Sequence, residues 1–192
     1  MKKIMFNDRY GLTKAVLEGR KTMTRRIIGS YYNEILDMSR YAKGEVIAIA
    51  QSYKDAGWDA DTMQEVYVKT PTIFPDLDEY EKLSGIIDLP FKYHRGWNNK
   101  MFVRADLMPH RIKIAYIKVE RLQDISDEDC MKEGIDRFEK EWGCWDKECC
   151  SFYTFSFDSP REAFAALIDK VSGKGTWERN PYCFCYTFKL ID

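Results

Sequence analysis

Two stretches of the chain alternate between apolar and polar residues with a period of two, and they commit it to a β-sheet. In Arg111–Arg121, Ile112 and Ile114 fall on one side of an extended strand and Ala115, Ile117 and Val119 on the other. Tyr182–Ile191 alternates in the same way and reads as a closing strand. Residues 22–28, rich in Thr and Ile and placed just after Gly19, predict a third strand. The apolar run 46–50, entered through the turn Lys43-Gly44, predicts a fourth. Helices are fewer. Leu12, Ala15 and Val16 recur at helical spacing over 11–18, with Gly19 placed to end the helix. Ser126-Asp127-Glu128-Asp129 has the form of a capping box, and Gly134 can end the short helix it opens. Ser159-Pro160-Arg161-Glu162 is a third helix start, followed by an apolar face of Phe164, Leu167, Ile168 and Val171 and closed by Gly173.

Between these elements lie two stretches without a sustained period. Residues 53–100 mix Gly, Pro, acids and aromatics and read as a long insertion with short elements of its own. Residues 136–158 read as a second irregular insertion. Strands joined by irregular connections favour an α+β fold, a small barrel with peripheral helices, over a doubly wound sheet. With 192 residues the chain is long enough to bury a core in a single domain, insertions included.

Charge narrows the function classes. Thirty bases against thirty-one acids exclude a protein that coats nucleic acid by bulk charge. The balance is not local, however. Residues 1–28 carry eight bases and two acids, whereas residues 120–150 carry eleven acids and five bases. Two such arms can attract each other across a fold, form opposite walls of a polar cleft, or stay as solvated faces. No apolar run approaches the ~20 residues of a membrane span, so no membrane partner is expected. The polar turn at Asn7 and Asp8 does not continue as a secretory signal, so the expected address is the cytoplasm, with cysteines held as thiols. Cys144, Cys149 and Cys150 lack the paired spacing of a metal knuckle, so no metal is expected, and no glycine-rich phosphate loop points to a cofactor. A monomer is favoured.

The segment Gly19-Arg20-Lys21-Thr22-Met23-Thr24-Arg25-Arg26 fits the pattern G-x-K-x-x-T-x-R between a helix and a strand. It resembles the signature of the ASCH domain, a β-barrel of the PUA-like superfamily associated with RNA. Lys43-Gly44-Glu45-Val46 resembles that family's turn into its next strand. The block 119–126 running on to Glu133-Gly134, and the block 173–181 before the last strand, resemble its phage and prophage branch. The likeness covers about residues 4–52, 101–135 and 159–192.

The resemblance implies an RNA- or nucleotide-binding module with a basic cleft between barrel and helix, in which Arg20, Lys21, Arg26 and Trp177 bind. It also implies an alternative. Some bacterial members are amidohydrolases that remove the acetyl group of N4-acetylcytidine, and their working Lys, Thr and Glu match Lys21, Thr24 and Glu133 here. The chemistry is coherent: a Thr hydroxyl needs a base in reach, which a Lys with a burial-lowered pKa can supply, and a charged Lys could instead orient the substrate carbonyl. A carboxylate could then serve the leaving nitrogen. A third alternative is a phage-type accessory module that binds another protein. Arg25 and Arg26, adjacent on a strand, must face opposite sides; Arg26 is expected to point inward and Arg25 to be solvated. Trp177, in its Gly-Thr-Trp-Glu-Arg-Asn-Pro loop, is expected to be an exposed stacking platform for a base.

Overall fold

The structure, a computed structural model, describes residues 1–29, 39–69, 91–147 and 157–191, the side chains of 64, 67–69 and 91 excepted. In chain order its elements are β1 (Lys3–Ile4), α1 (Leu12–Leu17), β2 (Met23–Ile27), β3 (Val46–Ile49), α2 (Ala60–Lys69), α3 (Arg95–Asn98) and β4 (Arg111–Arg121). They continue with α4 (Asp127–Lys132), β5 (Asp136–Phe138), β6 (Glu141–Gly143), α5 (Pro160–Ser172), α6 (Thr176–Arg179) and β7 (Tyr182–Ile191). The class is α+β. Two compact units divide the chain, one of Met1–Ile49 with His110–Asp192 and one of Ala50–Pro109. Among the described residues no helix is long and apolar enough to cross a membrane.

The first unit is built on a five-stranded mixed sheet in the order β1-β3-β4-β7-β2, with β1 parallel to β3 and every other pair antiparallel. β1 and β2 are its edges, and no pairing between them closes it among the described residues. The long central strands are the two that alternate most clearly in sequence. Their pairing explains why the apolar phase of β4 changes halfway. A bulge lies between Ile114 and Tyr116, so Ile112 and Ile114 before it, and Ile117 and Val119 after it, stand opposite Leu190, Phe188, Tyr186 and Phe184. All four therefore share one face of the sheet, where the alternation alone predicts two faces. The extra residue of a bulge turns the rest of the strand over. It also carries Lys118 and Glu120 to the other face, opposite Cys185 and Cys183.

That second face is covered by α4 and α5. Ser159 caps α5 by accepting from Glu162 N at 3.2 Å, Pro160 begins the helix, and Phe164, Leu167 and Ile168 are buried on its inner side. Ser126 caps α4 by accepting from Asp129 N at 3.1 Å. The stretch after α4 is more regular than its composition suggests. Asp136–Phe138 and Glu141–Gly143 form a small hairpin, with Glu139 at φ 52 in its turn.

The second unit contains α2, α3 and several single 3-10 turns. Its centre is the fully buried Tyr53, whose hydroxyl accepts from Arg104 N at 2.9 Å. Trp58 Nε1 donates to the Leu107 carbonyl at 3.1 Å. A Cβ at Gly96 would lie 2.5 Å from Tyr53 Cε2, so only glycine admits this packing.

Candidate active site

The basic N-terminal arm and the acidic arm after β4 meet in the first unit. Gly19 ends α1 at φ 73, and the chain then runs extended, so that Lys21 stands two residues before β2 begins. On the other side, Gly134 at φ 99 ends α4 and turns Glu133 toward Lys21. A backbone bond from Thr22 N to the Lys132 carbonyl, 2.9 Å, ties the two turns together. Lys21 Nζ then donates to Glu133 Oε2 at 2.6 Å and to the Glu133 backbone carbonyl at 2.7 Å. Lys21 and Glu133 are 2% and 4% exposed.

Burial of the Lys21 amine lowers its pKa, and the neighbouring Arg26 and Arg25 charges add to that, against the opposing pull of Glu133. Geometry sharpens the point. Two of the three non-carbon positions around Nζ are fixed by donation to Glu133, which leaves one for a third N–H in the ammonium or a lone pair in the amine.

Arg25 is the residue that the sequence places wrongly. It is buried, not solvated, because on β2 it stands opposite Cys185 on the face that α4 and α5 cover. Its guanidinium donates from Nη1 to Glu133 Oε1 at 3.2 Å and from Nη2 to Glu120 Oε1 at 2.5 Å, with Asp129 Oδ2 at 3.4 Å. Lys118 Nζ reaches Glu120 Oε2 at 2.8 Å and Asp129 Oδ2 at 3.4 Å. Burial opposes the Arg25 charge, but the Glu133 and Glu120 carboxylates outweigh it and raise its pKa. Both oxygens of Glu133 are thus occupied by cations, Lys21 on one and Arg25 on the other. The same mechanism lowers Glu120: burial works against its charge, while hydrogen bonds from Lys118 and Arg25 favour it.

Thr24 and Arg26 point to the opposite face of β2, opposite Tyr186 and Phe184. A cavity of about 270 Å³ opens at this edge of the sheet beside α5. Lys21, Thr24, Arg26 and Glu133 all line it, as do Phe6 and Phe164. The Thr24 hydroxyl has no hydrogen-bond partner among the described residues, although the residue is only 5% exposed. Arg26 is exposed at the mouth and donates from Nη2 to the Met5 carbonyl at 2.6 Å, pairing with no acid among the described residues.

Two expected contributors lie elsewhere. Arg20 is on the surface, held by Glu18 at 2.6 Å and by Asp136. Trp177 is not an exposed loop residue. It belongs to α6, is partly buried against Phe164 (ring centroids 6.2 Å) and Arg161 (5.2 Å), and borders a different, acidic groove with Glu162, Asp169 and Glu178. Asp169 explains the inversion. Its carboxylate accepts from the backbone N–H of Gly175 and Trp177 and so folds the segment into a helical turn.

Among the described residues no three His, Cys, Asp or Glu side chains converge to hold a metal ion; Cys149 and Cys150 lie outside those residues, and Cys144 is a buried thiol with its pKa pushed up to about 12 by burial. The residues missed in the sequence are Glu120, Asp129 and Lys118. The signal available for them was the density of acids from 120 to 133 set against the adjacent Arg25 and Arg26. Comparisons of the chain with protein-family models, curated proteins and solved structures found no match.

Proposed function

We propose that the Lys21–Thr24 cavity hydrolyses the N-acyl group of a modified nucleobase or nucleoside of the N4-acetylcytidine kind. One observation carries this reading. A hydroxyl without a hydrogen-bond partner among the described residues shares a small, half-open cavity with a buried lysine whose amine is oriented by a carboxylate. A volume of about 270 Å³ is at the small end for ligand sites, near 300 Å³, and suits a nucleoside better than a strand of RNA. The same reading takes the mixed sheet for the body of an ASCH-type barrel, in keeping with the G-x-K-x-x-T-x-R segment that supplies Lys21 and Thr24.

The steps balance with these residues alone. The neutral Lys21 amine takes the Thr24 proton as Oγ attacks the acyl carbon. The resulting Lys21 ammonium, stabilised by Glu133, returns that proton to the departing nitrogen as the C–N bond breaks. Water, deprotonated by the same amine, then cleaves the Thr24 ester, and the ammonium hands that proton to Thr24 Oγ as the C–O bond breaks, releasing the acid and restoring the hydroxyl and the amine. Glu133, both of whose oxygens are engaged, orients Lys21 and does not need to exchange protons with substrate.

The experiment is hydrolysis of N4-acetylcytidine by the purified protein, followed by chromatographic separation of cytidine. Turnover in the parent and none in Thr24→Ala is the expected outcome. A parent protein that binds the nucleoside and never turns it over removes the hydrolase. In its place stands a second reading, an RNA- or nucleotide-binding module, favoured by the exposed Arg26 that no carboxylate among the described residues neutralises.

A further inference from the structure

The cavity beside Thr24 crosses the outer edge of β2. One wall is α5, through Phe164, Leu167 and Ile168, on the face of the sheet where the Arg25 side chain is buried. The other wall includes Phe6, whose ring packs on Phe188 with centroids 5.7 Å apart, on the face that carries Thr24 and Arg26. The main chain of β2 runs between them.

Register fixes where its peptide groups point. Phe188 N donates to the Thr22 carbonyl and Ile28 N to the Tyr182 carbonyl, both at 2.9 Å, so Thr22 and Ile28 belong to pairs that exchange hydrogen bonds with β7. Such pairs recur at every second residue. The N–H and C=O of Thr24 and Arg26 therefore turn toward β7, and those of Met23, Arg25 and Ile27 turn outward. Arg25 is 6% exposed although its side chain is only 1% exposed, so what it presents to the cavity is main chain. Its N–H belongs to the peptide that follows Thr24, which makes it the outward donor nearest along the chain to Thr24 Oγ.

Attack of Thr24 Oγ on an acyl carbon moves an electron pair onto the carbonyl oxygen, and that oxyanion is stabilised by a donor already held in place. Lys21 is committed elsewhere: two of its positions are held by Glu133, and the third carries the proton to the leaving nitrogen. A strand edge suits the task, since the sheet on its inner side holds the outer N–H rigid with no side chain to order.

We propose that the backbone N–H of Arg25 is the oxyanion donor of this site, bonding the acyl oxygen in the tetrahedral intermediate formed on Thr24. The assignment rests on the hydrolase reading and supplies the group that the chemistry of Lys21 and Thr24 leaves open. The N–H itself is neither lost nor transferred; when the C–N bond breaks, the electron pair returns from the oxygen and the carbonyl re-forms.

The test removes this N–H and keeps the Arg25 side chain. Semisynthesis with the α-hydroxy acid analogue of arginine replaces the Thr24–Arg25 amide by an ester. The matched control carries its ester at Thr22–Met23, where the N–H also turns outward but Met23 does not line the cavity. Each ester weakens one carbonyl that accepts from β7, so the two chains should unfold at similar urea concentrations. On N4-acetylcytidine the Arg25 ester should lose roughly 10²–10³-fold in kcat with little change in KM, and the control no more than a few-fold. Parental kcat in the Arg25 ester, or an equal loss in the control, would overturn the donor and leave the hydrolase standing. A second probe, methylboronic acid, needs no turnover. Thr24 Oγ bonds to boron, its proton passes to Lys21, and the boron becomes a tetrahedral anion visible by boron NMR. This adduct should be weaker by about tenfold or more in the Arg25 ester than in the parent or the control, and absent in Thr24→Ala. That pattern in a parent that never hydrolyses N4-acetylcytidine would keep the donor and remove the hydrolase. Neither turnover nor a Thr24-dependent adduct would remove both.

Discussion

Lys21 and Glu133, 112 residues apart in the chain, are joined twice: the amine donates to the carboxylate at 2.6 Å and to the backbone carbonyl of the same residue at 2.7 Å. A backbone acceptor cannot be removed by changing a side chain. The amine therefore stays anchored when the carboxylate is lost, and the two contributions of Glu133, position and charge, can be separated.

Glu133→Gln should preserve the shape of the cavity and change the proton chemistry. Glu133 raises the Lys21 pKa against burial, so its neutral replacement lets that pKa fall further. The acidic limb of the kcat/KM profile should move to lower pH, and turnover should fall by roughly 10²-fold or more as the Lys21 ammonium loses its stabilising carboxylate. An acidic limb that stays in place would show that Lys21 is not the titrating base.

Arg25→Met and Arg26→Ala should differ sharply despite adjacency. Arg25 is a buried cation serving Glu133, Glu120 and Asp129, and its loss leaves buried carboxylate uncompensated. Breaking such an assembly costs about 3–5 kcal/mol, with Lys118 and Lys21 keeping part of it paired. Arg26 is exposed and, among the described residues, bonds only the Met5 carbonyl, so Arg26→Ala should change stability by about 0.5 kcal/mol or less. Urea unfolding of both variants checks the contrast; equal stabilities would sink it.

Much of this was legible in the sequence, and two of the failures share a cause. The strands at Arg111–Arg121 and Tyr182–Ile191 are long enough for alternation to fix their extent, and the caps at Ser126 and Ser159 mark their helices because a side-chain oxygen there has a backbone donor to satisfy. Alternation gives a period but not a phase relative to the fold. Whether Arg25 or Arg26 turns toward the helices depends on the register Arg25 opposite Cys185, a contact across 160 positions that no local pattern contains. The bulge at Ile114–Tyr116 is the same difficulty within one strand, since one inserted residue exchanges the faces of everything after it. Trp177 failed for another reason: its helical turn is dictated by Asp169, a carboxylate six and eight residues before the N–H groups it accepts from.

Stability should rise with pH in two separate windows. Glu120 and Asp129 lie below their ordinary values of 4.5 and 3.8 because, although burial opposes their charges, the bonds and charges of Lys118, Lys132 and Arg25 prevail. The unfolded chain therefore binds more protons as the pH falls through this range. Their contribution is complete above about pH 5 and is lost as pH drops through the folded values. Lys21 is also lowered, chiefly by burial, so the unfolded chain again holds more protons between its folded value and 10.5. That contribution is absent below the folded value and complete above 10.5. Urea midpoints against pH should show both rises, and Lys21→Met should flatten only the alkaline one. A variant with the parent's alkaline slope would refute the shift.

Gly134→Ala joins fold and site in one substitution. Gly134 sits at φ 99, where a side chain is strained, and its added Cβ would lie 3.2 Å from Leu12 Cδ2 and 3.6 Å from Lys21 Cδ. The backbone strain alone is of order 1–3 kcal/mol. Relief is available in one direction: Leu12 and the Lys21 stem can move away, which lengthens the bonds from Lys21 to Glu133, the residue immediately before the substitution. Leu12 lines the same cavity as Thr24, so its displacement alters that cavity as well. The variant should therefore be less stable by roughly 1–3 kcal/mol and, at a temperature where it is fully folded, lose kcat by more than it gains in KM, because the amine is displaced within the cavity it shares with Thr24. Leu12→Ala in the same chain removes the nearer clash and should restore part of kcat, even as it costs core packing. Steady-state kinetics of the single and double variants decide the matter, and a Gly134→Ala enzyme with parental kcat would show that this turn does not position Lys21.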